Sequence, residues 1–366
     1  MKIAFIAPYK NGTGYAHAAI SYMMALDSVG VTVVPREVYM IKSSGYVPKR
    51  IVELEQNNLN NVDVTIQFNL PSEFGHKAGT VNGCGFCYET NTLKYTGWIP
   101  PLKEMDFILV PSFFQSEILN KEVPGVANYV MPYPLSVAKY GKEYEKIDFK
   151  LPQNAYKFYT IAELAPRKEL QATIIAYLSE FTLNDNVALV IKTNVPGKSP
   201  EGPLAAIGTT IKQCKESLGI YTNPDLYPPI IAITDYLDDE GMCRIHKSCN
   251  TFLSSSRGES YCLPAVDAMA FGNHIIVPNN TCFKDGMYAG ASRYESMQSV
   301  VFNGNHPTLY SGREKWHTPC TADMAVKMRN AYENRLKHPN TPQLLEVLKY
   351  ENIGNLLLEC VKNHAE

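Results

Sequence analysis

Short, almost wholly apolar runs punctuate the chain, each closed by a polar or glycine-bearing turn. In the first half they fall at residues 2–7, 31–35, 62–68, 81–88, 107–110 and 129–131. In the second half they open at Lys157, span 187–192 and 230–234, and return near 251–253, 273–278 and 299–303. Runs this short and without polar alternation fit strands buried on both faces, as parallel strands are. Between them the apolar period becomes helical. Ala16, Ala19, Ile20, Met23 and Met24 share one helical face, and Leu170, Ile174, Tyr177, Leu178 and Phe181 share another. The order strand, loop, helix repeats along both halves, which predicts an α/β chain with two doubly wound halves. Residues 136–155 are rich in Lys, Glu and Tyr, lack apolar periodicity and have Pro134 and Pro152 near their ends, the composition of an interdomain linker. The expected division is a Rossmann-like domain over 1–140, a second over 156–341, and a helical segment over 342–366. Residues 193–229 hold many of the glycines and prolines, and predict a long loop, with some helix at 207–218, able to cover a nucleotide.

Most of the chemistry lies in Ser254-Ser-Ser-Arg-Gly-Glu-Ser-Tyr-Cys-Leu-Pro-Ala-Val-Asp-Ala-Met-Ala-Phe-Gly272. Pro264 suits a first helical turn and Gly272 the position just past a helix end, so a helix should start near 263. The turn formed by Ser260, Tyr261, Cys262 and Leu263 is then expected to offer backbone N–H groups at the positive end of that helix, a site for phosphate oxygens. Glu259 and Asp267 bracket it. Carboxylates repel phosphate but accept hydrogen bonds from hydroxyls, so the combination suits a nucleotide-sugar. Taken alone, the two acids also fit a helix cap and a solvated first-turn residue. Asp238 and Asp239 look like the start of another helix, and His246 and His274 have no metal-ligand spacing.

The stretch 256–272 resembles the signature of family 4 of the retaining GT-B glycosyltransferases, usually Ser-x-x-Glu-Gly-Phe-Gly-Leu-Pro-x-x-Glu-Ala-Met-Ala-x-Gly, with Asp267 in place of the second Glu. Weaker similarities recur through most of the chain. The resemblance implies a GT-B fold, with two facing Rossmann-like domains and an interdomain cleft, and the final segment crossing back to the N-terminal domain. It implies that Glu259 holds the donor sugar hydroxyls and that Asp267 accepts from the nucleotide ribose. The family often has Gly-Arg-Leu-x-x-Arg-Lys-Gly after the first strand of the second domain, its first Arg and its Lys neutralising the donor diphosphate. Here Lys168 matches, Glu163 stands at the Arg position, and Arg167 or Arg257 is left to compensate. Lys192 ends its strand on the side where the site should be, as a further phosphate contact. The N-terminal glycine loop with Gly14 and Tyr15 resembles the family's cleft-facing loop, and Glu89, at the exit of a strand, resembles an acceptor-side acid. The Trp316-His-Thr-Pro segment resembles one that enters a helix in the family.

Composition narrows the picture further. A chain of 366 residues, 45% hydrophobic and 19% charged, is long enough for two domains, and a net charge of -2 gives no general pull toward nucleic acid or anionic membrane. No apolar run has the length of a membrane span or signal peptide, which predicts a cytoplasmic protein. Nine scattered cysteines fit reduced core thiols, and the pair Cys84 and Cys87 lacks a second pair at zinc spacing. No Asp-x-Asp ends an apolar strand, so neither a metal nor a cofactor is expected. The reading is metal-independent, retaining transfer from a nucleotide-diphosphate sugar to an acceptor hydroxyl on a glycan, lipid-linked sugar or protein, with nucleic acid still open. Two alternatives stand beside it. One is a non-catalytic nucleotide-sugar-binding or scaffold protein; the other is an NAD-dependent oxidoreductase, suggested by Gly12, Gly14 and Glu37 but opposed by His17 at the third glycine position.

Overall fold

The computed structural model describes residues 1–194, 199–301 and 309–365. They divide into two compact units. The first comprises Met1–Gly141, residues 301 and 309–315, and the chain from Pro342 onward; the second comprises the rest.

In the first unit the chain runs β1 (Lys2–Ala7), α1 (Gly14–Ser28), β2 (Thr32–Glu37), α2 (Lys49–Leu54), β3 (Val64–Phe68), β4 (Val81–Gly85), α3 (Ile99–Lys103), β5 (Phe107–Val110), α4 (Phe113–Glu122), β6 (Ala127–Val130) and α5 (Val137–Gly141). The strands form one parallel sheet in the order β2-β1-β3-β4-β5-β6. In the second unit come β7 (Tyr156–Ile161), α6 (Leu170–Glu180), β8 (Val187–Lys192), α7 (Glu201–Leu218), β9 (Ile230–Ile233), α8 (Asp239–Ser248), β10 (Thr251–Leu253), α9 (Leu263–Ala270), β11 (His274–Pro278) and β12 (Ser292–Tyr294). This second parallel sheet has the order β12-β11-β10-β7-β8-β9. Both units are Rossmann-like. A separate ribbon pairs β13 (Ser296–Val300) with β14 (Lys315–Pro319), and α10 (Thr321–Glu333), α11 (Thr341–Leu348) and α12 (Tyr350–Ala365) complete the chain.

The apolar runs became strands because both faces of each sheet are covered. All six residues of β8 are buried. Phe158, Ile174, Tyr177, Phe181, Ile191, Ile207 and Met328 belong to one core, which draws on the second sheet, α6, α7 and α10. In the first unit α12 packs on α1 at Gly354, where an added Cβ would lie 2.3 Å from the Ala25 carbonyl oxygen. His364 ties the end of α12 to the sheet, stacking on Phe107 and lying 2.9 Å from the Tyr129 hydroxyl.

Two expectations change. The helix expected at 207–218 is longer: α7 takes about half of the region 193–229, with Ile207 and Cys214 fully buried against the core, so less of it is loop than the sequence suggests. Residues 195–198 of that region lie outside the described residues. The run at 299–303 is not the last strand either. It is the end of β13, which pairs with the later β14, and its residues 302 and 303 lie outside the described residues. Among the described residues no helix is long and apolar enough to cross a membrane.

Candidate functional site

In the second sheet the chain winds outward from β7 through β8 to β9, then returns to the other side of β7 and proceeds through β10, β11 and β12. The order therefore reverses between β7 and β10. Loops leaving the carboxyl ends of two such strands diverge and leave a crevice between them, where open α/β sheets bind ligands. The loop after β7 carries residues 162–169, and the loop after β10 carries residues 254–262.

Serine hydroxyls and backbone amides lace these loops together. Ser255 Oγ lies 3.0 and 2.8 Å from the carbonyl oxygens of Lys168 and Glu169, and the Arg257 N–H donates to the Arg167 carbonyl at 2.8 Å. Pro166–Lys168 is a single tight turn, and Glu169, at φ 48°, caps α6 in the left-handed region. A side chain there is strained, and glycine would avoid the strain. Glu169 is held by Arg257, whose Nε donates to Oε2 at 2.6 Å, whose Nη2 reaches the same carboxylate, and whose Nη1 donates to Thr318 Oγ1 at 2.9 Å.

Glu259 is the centre of the site, only 4% exposed. Its Oε1 accepts from Lys168 Nζ at 2.5 Å and its Oε2 from Arg167 Nη1 at 3.0 Å, while its N–H donates to Thr281 Oγ1 at 3.0 Å. Burial pushes this carboxyl upward, but the charges of Lys168 and then Arg167 outweigh it and hold the group below the usual carboxylate range. Two cations thus share one buried anion beside the N-terminus of α9, which leaves a positive surplus where a helix already favours negative charge. Lys168, Ser256, Glu259, Cys262 and Pro264 bound a cavity of about 20 Å³. It has room for about one water molecule.

The helix itself starts and stops as its residues dictate. Pro264 lies in the first turn, and Gly272, at φ 79°, follows the last one. The Gly272 N–H donates to Met269 and the Asn273 N–H to Ala268, which satisfies two final carbonyls of α9. The row of amides before the helix is shorter than the sequence suggests, because the Cys262 N–H already donates to the Tyr288 hydroxyl at 3.1 Å. Ser260 and Tyr261 are buried beside it, and Leu263 and Asp267 are half-buried in α9. Lys192 ends β8 next to the exit of β7, in register with Ile161. Its Nζ lies 3.4 Å from the Thr193 carbonyl, and burial pulls its pKa below the ordinary lysine value against the opposing pull of Asp235. Arg167 and Arg257, read from sequence as free to compensate for Glu163, are both engaged inside the protein.

Gly14, Tyr15 and Glu89 lie in the first unit. Gly14 opens α1 behind Thr13, whose side chain accepts from the Ala16 N–H. The Tyr15 hydroxyl accepts from the Cys87 N–H at 3.0 Å, and burial pushes its pKa well up, so it stays neutral. Glu89 Oε2 accepts from the Tyr310 hydroxyl at 3.2 Å. The Gly12 turn is covered by residues 43–45: the Gly45 N–H donates to the Lys10 carbonyl at 2.8 Å, and a Cβ on Gly45 would fall 2.4 Å from Gly12 Cα. That contact fills space a dinucleotide pyrophosphate would need over the glycine turn, which argues against the NAD reading. No disulfide joins any of the nine cysteines, as their scatter suggests.

Known structures share this architecture over almost their whole length. A sucrose-phosphate synthase from Thermosynechococcus elongatus superposes with a TM-score of 0.67 at 11% identity, covering 99% of this chain and 98% of that one. A glycosyltransferase from Rickettsia africae ESF-5 gives 0.66 at 11% identity over 100% and 98%. An E. coli structure described as trehalose-6-phosphate bound with UDP-2-fluoro glucose gives 0.62 at 10% identity over 99% of each. The fold is GT-B. No protein-family model matches the chain, and no curated protein matches it.

Several residues that shape the site escape a reading of the sequence. Thr281, Tyr288 and Ser255 act through contacts 22, 26 and 87 residues away in the chain, and nothing local marks them. Glu169 did leave a signal. It stands where the family motif has glycine after Arg-Lys, at the one position of that loop with a left-handed backbone.

Proposed function

We propose that this protein is a retaining glycosyltransferase of the family-4 type, moving a sugar from a nucleotide-diphosphate sugar to an acceptor hydroxyl without a metal ion or cofactor. One observation carries the reading: Lys168 and Arg167 converge on buried Glu259, beside the N-terminus of α9, at the switch point of a GT-B second unit. Lys168 would meet the negative charge that grows on the departing diphosphate, with the α9 terminus assisting. Lys192, Ser260, Tyr261 and Leu263 would complete the donor contacts. Glu259 would hold donor sugar hydroxyls, and Asp267 the ribose. Two neighbours support donor class and stereochemistry by their descriptions, one bound with UDP-2-fluoro glucose and one concerning glycosyl transfer with retention by trehalose-6-phosphate synthase. Nine cysteines without a disulfide suit a reducing compartment, consistent with work in the cytoplasm.

The non-catalytic reading draws on two facts: Glu163 reverses a charge, and Lys168 already has an anion in Glu259. The purified chain, incubated with UDP-, GDP-, ADP- and TDP-linked sugars, separates the two. Release of nucleoside diphosphate supports transferase chemistry. A rise in melting temperature without release supports the binding protein, and neither response would discard both.

A further inference from the structure

Two polar groups at the carboxyl end of β8 are buried without the partners that burial demands. Lys192 is 6% exposed, and among the described residues its ammonium meets one acceptor, the Thr193 carbonyl at 3.4 Å, and forms no salt bridge. Thr193 is 1% exposed, and its hydroxyl has no hydrogen-bond partner among the described residues. An ammonium taken out of water with one long contact is costly, as is an unpaired hydroxyl, and a ligand that supplies acceptors recovers both. The neighbouring strand end brings complementary groups. Lys192 is in register with Ile233 at the end of β9, and the Thr193 N–H donates to the Ile233 carbonyl at 3.0 Å. Just beyond lie Asp235, whose charge acts on Lys192, and Tyr236, whose ring is 66% exposed.

These strand ends lie on the far side of β7 from the crevice that holds Lys168 and the start of α9. Neighbouring strands are about 4.8 Å apart, so the ends of β8 and β9 stand roughly 10 Å from the crevice, with room for a ribose between. On its other side the crevice is filled. Residues 280–283 are all buried there, and the Cys282 N–H donates to the Glu259 carbonyl at 3.2 Å.

We infer that Lys192 and Asp235 read the base of the donor nucleotide, and that this base has a lactam edge, a ring carbonyl beside a ring N–H, as uracil, thymine and guanine do; this rests on the nucleotide-sugar reading and names its donor class. A lysine ammonium only donates and an aspartate carboxylate only accepts. A lactam gives its carbonyl to Lys192 and its N–H to Asp235. Adenine and cytosine present the reverse, an amino group beside a bare ring nitrogen, which sets donor against donor and acceptor against acceptor. Tyr236 offers a face on which the base stacks, and the Thr193 hydroxyl can donate or accept. Phosphate is the poorer partner for Lys192, because Asp235 repels it.

Isothermal titration calorimetry on the full chain with UDP, TDP, CDP, GDP and ADP tests this. For a pyrimidine donor UDP or TDP should bind about tenfold or more tighter than CDP, and for a purine donor GDP should exceed ADP by as much, which is what one bidentate base contact discriminates. TDP against UDP separates thymine from uracil. Lys192→Met, which keeps the length of the side chain, should erase the preference; Asp235→Asn, at an exposed position, should narrow it and decides the matter if the first variant does not fold, which melting curves establish. Equal affinities among the pyrimidines and between the purines overturn the inference, as does a preference for CDP or ADP, or a loss in Lys192→Met that falls equally on all five, the mark of a phosphate contact. Those outcomes leave the nucleotide-sugar reading standing. Binding of none of the five discards that reading, and the base assignment with it.

Discussion

At the residue scale the decisive feature is a buried carboxylate held by two cations drawn from a loop about ninety positions away. Sequence reading named Lys168, Arg167 and Glu259 as separate contributors, because each stands in a recognisable motif. Their mutual contact was not legible, since it depends on how the loops after β7 and β10 meet across the switch point. Arg257 shows the same limit. It looked like a free phosphate ligand, yet it braces Glu169 in a left-handed conformation that an unbranched polar residue adopts at a cost of about 1–2 kcal/mol. Arg257→Ala should therefore destabilise the protein by about 1–3 kcal/mol, the range for losing a charged hydrogen bond. Adding Glu169→Gly should recover much of the loss, because glycine relieves the strain and leaves no unpaired carboxylate. Urea unfolding of the two single variants and the double variant measures this coupling. Strict additivity would show that the brace has no energetic role.

At the element scale, β1 to β11 and α9 were legible because their signals are local: short apolar runs for buried parallel strands, Pro264 and Gly272 for the helix limits. The first turns of α7 were hidden by Gly202 and Pro203, which read as loop residues but are tolerated where one face of the helix packs against the core. The edge of the second sheet adds a pH dependence. His274 opens β11, its Nε2 lies 2.8 Å from Ser292 Oγ on β12, and burial, with the charge of His338, lowers its pKa to about 4. The unfolded chain, with a histidine pKa of about 6.5, binds more protons than the folded one between those values. Stability is thus complete above about pH 6.5 and should fall by about 3 kcal/mol as the pH drops to about 4. Urea unfolding at pH 7 and pH 4.5 should show a flatter dependence for His274→Gln than for the unaltered protein; parallel losses would exclude this source.

At the scale of the whole molecule, the alternation of strands and helices was enough to predict two doubly wound halves. It did not reveal that residues 309–315 belong with the first unit. Their membership comes from packing, with Tyr310 stacked on Tyr88 and the Lys315 N–H donating to Asn91 Oδ1 at 2.7 Å. The proposed chemistry, with cationic side chains and a helix terminus meeting the diphosphate, makes a prediction for the intact protein. Transfer should persist after exhaustive chelation with EDTA, and a complete loss restored specifically by Mg²⁺ or Mn²⁺ would contradict it.

In the proposed transfer Lys168 stabilises charge developing on the leaving diphosphate. Turnover of Lys168→Ala at saturating donor, with folding verified by circular dichroism, tests it most directly. A fall of roughly 10²-fold or more in kcat is expected, as when an electrostatic stabiliser is removed. Normal turnover with the true donor and acceptor would contradict it and leave the Lys168–Glu259 pair as structure only.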